Sequence, residues 1–307
     1  MLLGYYQSSR NAAHVSANQS RTLTLEPDLL VLAALIAWLS TKSAGVRCLL
    51  PLEDLDPERS NPHLAQRLVE DLAWFGLTFD ATVRQSSLGA EHAAALDGLA
   101  AQGLLYACAC SRARIAQTGR QLPDGSRIYP NTCRSTGALT ATGWRKTSEV
   151  VRVRLDGVAW DPVVRRRDGS VAYLLACVMD DAAMGITHVV RGRDLADQEG
   201  AQRALGKALG LPIPDYRHHM LLLEPQGGKF AKMHGSLPIS TLRKLAPADV
   251  WVGALAHLAG LQKCDAPVTP ARLITTFDWS ALRQEDCTVV LAGHQLACLD
   301  DSKVDTF

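Results

Sequence analysis

The chain has 307 residues, enough for roughly two domains of about 150 residues each or for one elaborated α/β domain. Apolar residues make up 47% and charged residues 21%, which excludes a disordered or fibrous chain. A net charge of +1 excludes any global polyelectrolyte argument for nucleic acid. The longest apolar run, Leu29 to Leu39, is too short to span a bilayer and follows Glu26-Pro27-Asp28 without a basic leader. The expectation is a soluble, cytoplasmic protein with no membrane contact.

Residues 29–42 are apolar nearly all round and predict a buried helix. Arg47 to Leu52 reads as a short buried strand, ending at the acidic cluster Glu53-Asp54-Leu55-Asp56-Pro57. Leu64, Leu68, Leu72 and Phe75 repeat at helical spacing behind Pro62, predicting a second helix over 62–75. A third covers 91–103 and is closed by Gly103. This alternation points to a parallel sheet covered by helices. A stretch rich in Gly, Thr and Ser follows, with a strand at Val150–Leu155. The apolar run Ala172–Met179 predicts a buried strand, His188–Arg191 a strand end, and 198–209 a helix. The tail from Leu237 reads as helical, as at Ala248–Ala259.

From Cys108 to Arg167, twelve basic residues stand against four acidic ones, so this stretch carries +8 and the remainder −7. A basic module on an acidic body fits one face meeting a polyanion, and equally fits an arginine-rich solvated surface. Of the eight cysteines, Cys48, Cys177, Cys264, Cys287 and Cys298 are scattered and read as small reduced hydrophobes. Cys108, Cys110 and Cys133 are gathered, which suggests a metal before a disulfide.

Several segments carry a resemblance. Glu53 to Arg59, Asp71 to Leu77 and Asp180 to Leu195 are similar to class I glutamyl-tRNA synthetases. Tyr106-Ala107-Cys108-Ala109-Cys110-Ser111-Arg112 and Tyr129-Pro130-Asn131-Thr132-Cys133-Arg134 resemble the short glutamyl-Q tRNA(Asp) synthetases, which lack an anticodon-binding domain. The resemblance runs from about residue 46 to about 260, and the chain length agrees with a synthetase lacking a large anticodon module. It implies a class I, Rossmann-like parallel sheet (halves 1–104 and 171–225), interrupted by a basic zinc-binding insertion at 105–170. A signature lysine loop and helical tail follow at 226–307. The implied activity is activation of glutamate with ATP and Mg, then transfer to the queuosine base of tRNA(Asp), by a monomer.

The same resemblance assigns residues. Ser9, Glu53, Tyr173 and Arg191 match positions that contact glutamate. Bidentate pairing with a carboxylate suits arginine, and a strand end at the open edge of an α/β sheet is where ligands bind. Without that motif the three later residues read as a capping glutamate, a core tyrosine and a surface arginine. Cys108, Cys110, Tyr129 and Cys133 match a structural zinc site, whose tetrahedral shell three thiolates and one oxygen can complete. Lys229 and Lys232, in Gly227-Gly228-Lys229-Phe230-Ala231-Lys232, match the catalytic lysines that hold the ATP triphosphate. His14 stands for the signature histidine at the ATP phosphates, followed by Val15-Ser16 where the family has x-Gly, and Tyr5 replaces an arginine. Two other readings stay open: an inactive tRNA-binding paralogue, and an adenylate-forming ligase for another amino acid or acceptor.

Overall fold

The computed structural model describes residues 2–4, 27–52, 54–55, 62–121, 127–225, 239–292 and 295–299. Strands β1 (Leu2–Gly4), β2 (Cys48–Leu52) and β3 (Ala81–Arg84) lie parallel, connected by helices α1 (Pro27–Ser43) and α2 (Pro62–Trp74). As its composition predicts, α1 is buried almost all round from Val31 to Thr41. Every residue of β2 is buried, and its side chains alternate between two cores. Cys48, Leu50 and Leu52 pack with α1, whereas Leu49 packs with Tyr173, Cys177, Ile186 and Val189 on the opposite face. A strand covered on both faces is read in sequence as an unbroken apolar run.

Helix α3 (Gly89–Ala101) leads into the interruption. It comprises β4 (Leu105–Cys108), α4 (Arg112–Thr118), the small hairpin β5 (Arg120–Gln121) and β6 (Arg127–Ile128), α5 (Ala141–Lys146), β7 (Val150–Val153) and β8 (Val163–Arg165). Strands β4, β7 and β8 form an antiparallel sheet. Its apolar face shares one core with α3, α6 (Tyr173–Ala183) and α7 (Ala196–Ala208), through Leu96, Leu99, Val151, Val153, Leu175 and Leu205. Strands β9 (His188–Gly192) and β10 (Asp215–His219) then complete a five-stranded parallel sheet ordered β10-β9-β1-β2-β3. The order in which strands are added reverses between β1 and β9, which run parallel.

Three expectations are overturned. The run Ala172–Met179 is the start of helix α6, not a strand. It is apolar all round because it lies between two cores, with Leu174, Leu175 and Val178 on one and Tyr173 and Cys177 on the other. Periodicity cannot separate such a helix from a buried strand. The tail is helical only in part. After β11 (Leu222–Leu223) come α8 (Ile239–Leu245), α9 (Ala248–Leu258) and α10 (Pro270–Leu273), and then the antiparallel hairpin β12 (Cys287–Ala292) and β13 (Gln295–Cys298). Cys287 and Cys298, read as reduced, are joined across this hairpin as a disulfide. Among the described residues, no helix is long and apolar enough to cross a membrane.

One buried carboxylate fastens the loops of the interruption. Asp161 is fully buried and accepts from Tyr106 Oη at 2.9 Å, from the Leu155 N–H at 3.2 Å and from the Arg134 guanidinium. Its own N–H donates to Asn131 Oδ1 at 2.8 Å, and Asn131 takes a left-handed φ of 57°. Removing one partner of such a network strands the others without acceptors. Asp161→Ala is expected to cost about 3 kcal/mol in chemical denaturation; a loss under about 1 kcal/mol would mean that the knot contributes little.

Candidate active site and thiol cluster

In an open parallel sheet, ligands bind beyond the carboxyl ends of the strands where strand order reverses. Here that crevice lies beyond β1 and β9, whose ends are in register at Gly4 and Val190. Arg191 is the next residue on β9. Strand alternation puts it on the face of Val189, toward α6 and α7. The arginine is fully buried, so the alternative of a surface cation falls away. Its Nη1 donates to Gln202 Oε1 of α7 at 2.7 Å and its Nε to His218 Nε2 of β10 at 3.1 Å. The guanidinium carbon sits 4.8 Å from the Tyr216 ring centre. Nη2 is buried with no hydrogen-bond partner among the described residues.

Tyr173 opens α6 and packs with Val189 and Tyr216, so it and Arg191 border the same tyrosine ring. Burial, and then the nearby Asp181 carboxylate, raise the Tyr216 phenol well above its ordinary range. Arg203 also borders this ring, 5.0 Å from its centre, and its Nε is 2.7 Å from Glu199 Oε1. Gln202, His218 and Tyr216 were missed from sequence. Tyr216 and His218 alternate on β10 in register with Val189 and Arg191, a signal legible only once the two strands are known to pair.

The second site forms where β4 ends. The sulfurs of Cys108, Cys110 and Cys133 lie within 4.8 Å of one another, and none is in a disulfide. Tyr129 Oη stands 3.5 Å from Cys108 Sγ and accepts the Cys133 N–H at 2.7 Å, so all four expected ligands meet. Tyr106, Ile115, Val150 and Trp160 wall the cluster with apolar surface. Arg152 lies over the Tyr129 ring, 3.6 Å from its centre. Burial and the neighbouring Cys133 push the Cys110 thiol up to about 11. Burial also acts to raise Cys108, yet hydrogen bonding from Tyr129, the Cys110 N–H and Arg152 outweighs it and lowers this thiol. Three crowded thiols resist joint ionisation, and a soft divalent cation removes that penalty. The donor set fits one.

The family model for class I tRNA synthetases (E and Q), catalytic domain, matches residues 31–159 and 150–249. A glutamyl-Q tRNA(Asp) synthetase of Symbiobacterium thermophilum is 38% identical over 285 residues, covering 82% of this chain and 88% of that protein. The chain belongs to the glutamyl-Q tRNA(Asp) synthetase family. A member from Pseudomonas aeruginosa is 34% identical over 274 residues, with 85% and 91% covered. The family consists of class I synthetase-like ligases, and this chain is one of them. The fold is also that of a solved glutamate-tRNA synthetase from Elizabethkingia anophelis, with TM-score 0.67 and 19% identity, over 86% of this chain and 65% of that one.

Of the residues assigned by resemblance to this family, Tyr173, Arg191, Cys108, Cys110, Tyr129 and Cys133 have described positions. Ser9, His14, Glu53, Lys229 and Lys232 lie outside the described residues. The basic excess of the interruption divides into two kinds. Arg134, Arg152, Arg154 and Arg165 point inward, bonding the carbonyls of Leu155, Asp161, Leu105 and Thr147 among others. Arg112, Arg114, Arg120 and Lys146 are exposed. Counting charge in sequence therefore overstates the charge offered to a partner.

Proposed function

We propose that the chain activates glutamate with ATP and Mg and transfers it to the queuosine base of tRNA(Asp). The observation that carries this reading is the buried Arg191 fork, which keeps Nη2 without a partner at the switch point of the sheet. An anion small enough to enter such a crevice and to accept a charge-assisted hydrogen bond from Nη2 is a carboxylate. Tyr173 supplies a neighbouring hydroxyl, and Glu53 and Ser9, assigned by resemblance and lying outside the described residues, would bind the rest of the amino acid. In activation, the α-carboxylate attacks the α-phosphorus of ATP and pyrophosphate departs. Lys229, Lys232 and His14 would neutralise the triphosphate as that charge builds, the largest single contribution such sites make. The relatives' names supply the acceptor.

In the same reading, residues 105–170 form a unit whose zinc is held by Cys108, Cys110, Tyr129 and Cys133. Zinc there is structural: four protein donors leave no open position. The exposed Arg112, Arg114 and Arg120 of this unit suit the tRNA backbone. We take the protein to be a cytoplasmic monomer. Cys110→Ser is expected to lower zinc from near one equivalent to well below it in elemental analysis of protein purified without chelator, and to loosen residues 105–170. Full-length protein without zinc would leave the thiols as a buried cluster only.

Glutamate-dependent ATP–pyrophosphate exchange, without tRNA, tests the site. Arg191→Ala is expected to lower its kcat/KM at least about a hundredfold, with Lys rescuing only in part, because one ammonium cannot reproduce the planar fork. Unchanged exchange in the Ala variant would place glutamate elsewhere.

A second reading rests on the sequence His14-Val15-Ser16, where the family has His-x-Gly. Losing one well-placed transition-state donor costs about 10²–10³ in rate. We therefore expect weak activation, with ATP affinity lowered more than tRNA affinity. Calorimetric titration with a non-hydrolysable ATP analogue decides. No binding at millimolar analogue beside intact tRNA binding would leave a tRNA-binding paralogue without ligase activity.

A further inference from the structure

An arginine fork carries five N–H groups in one plane, and buried donors need acceptors. Around Arg191 the acceptors are unevenly distributed. Gln202 Oε1 takes Nη1 at 2.7 Å, His218 Nε2 takes Nε at 3.1 Å, and Tyr216 packs against the group. Nη2 alone is left without a partner among the described residues. Gln202 is itself 2% exposed, and its own Nε2 likewise lacks a partner among those residues. Its amide therefore has no described role other than presenting oxygen to the arginine. A free arginine side chain has many rotamers, and fixing it beforehand removes that entropy cost from binding.

We propose that Gln202 and His218 are positioning residues: they lock the plane of the Arg191 fork and so commit Nη2 to the substrate carboxylate. The proposal rests on the reading of Arg191 as the glutamate-binding arginine. It adds a condition that this reading lacks. His218 accepts from Nε only through a lone pair, so the imidazole must be neutral for the lock to hold. Protonated, it would turn a second N–H toward the guanidinium and break that bond.

The groups facing His218 decide when this happens. Burial, and then the adjoining Arg191 cation, lower its pKa, while Glu199, 3.7 Å from Nδ1, and Asp194 act the other way. Arg203 draws on the same Glu199 carboxylate at 2.7 Å. His219, the next residue, faces the other side of the strand and is held at about 4 by burial, so it stays neutral beside His218. The net shift is downward, so His218 is neutral at neutral pH and the lock opens only in acid. Glutamate affinity is thereby tied to the protonation of a residue that never touches glutamate.

The test is glutamate-dependent ATP–pyrophosphate exchange by the full-length protein from about pH 5 to 8, where imidazoles titrate. Calorimetric titration with glutamate repeats the comparison without turnover. Gln202→Met and His218→Leu are expected to raise the glutamate KM about tenfold or more, the usual weight of a hydrogen bond to a charged group, with kcat and the ATP KM little changed. Wild-type protein should lose glutamate affinity as pH falls. His218→Gln, whose amide oxygen reaches the Nε2 position without titrating, should keep normal affinity at neutral pH and lose the acid effect. Wild-type glutamate KM in both Gln202→Met and His218→Leu, with Arg191→Ala inactive, would overturn the positioning role and leave the arginine reading intact. An Arg191→Ala variant with normal KM would overturn both. Should His218→Leu fail to fold, an unchanged acid effect in His218→Gln is by itself enough to overturn the proposal.

Discussion

A guanidinium without solvent must be surrounded by acceptors, and this constraint organises the second half of the parallel sheet. Arg191 leaves the end of β9 at the point where strand order reverses, and 0% of its surface is exposed. Its acceptors come from two other elements, Gln202 on α7 and His218 on β10. Neither element could shift by a residue without losing its bond to the cation, so the pairing register of β9 with β10 and the docking of α7 are tied to one side chain. Helix α6 adds Tyr173 to the same neighbourhood because it is packed between the sheet and the core of the interruption.

The interruption obeys a parallel constraint with different chemistry. Its strands are short, and its loops are closed by polar contacts: the Asp161 knot with Tyr106, Arg134 and Asn131, and the gathering of Cys108, Cys110, Cys133 and Tyr129. Arg152 links the two, bonding the Asp161 carbonyl at 2.6 Å while lying over Tyr129. A change at the thiols would therefore be felt at Asp161, and the reverse. The inward arginines that make this possible are the same residues that inflate the apparent charge of the segment.

Much of this was legible in sequence, for reasons that differ by element. Helices α1, α2 and α3 carry either an all-apolar surface or a clean helical repeat, and β2 carries the unbroken apolar run of a strand covered on both faces. The thiol cluster was legible because two of its cysteines sit one residue apart and the third follows a matching tyrosine. Helix α6 was not, because burial on both sides erases the amphipathic pattern that separates helix from strand. The closing hairpin hid within a segment read as helical, and with it the Cys287–Cys298 pair. Arg191 was found, but the partners that bury it were not. Its burial depends on Gln202 and His218, 11 and 27 residues away, and spacing alone does not reveal that they converge.

The most direct measurement is a crystal structure of the protein with glutamate bound. A carboxylate oxygen of glutamate within about 3 Å of Arg191 Nη2, with Nη1 and Nε still on Gln202 and His218, is the result this account predicts. Glutamate bound away from Arg191, or an Arg191 fork turned to a carboxylate of the protein itself, would contradict it.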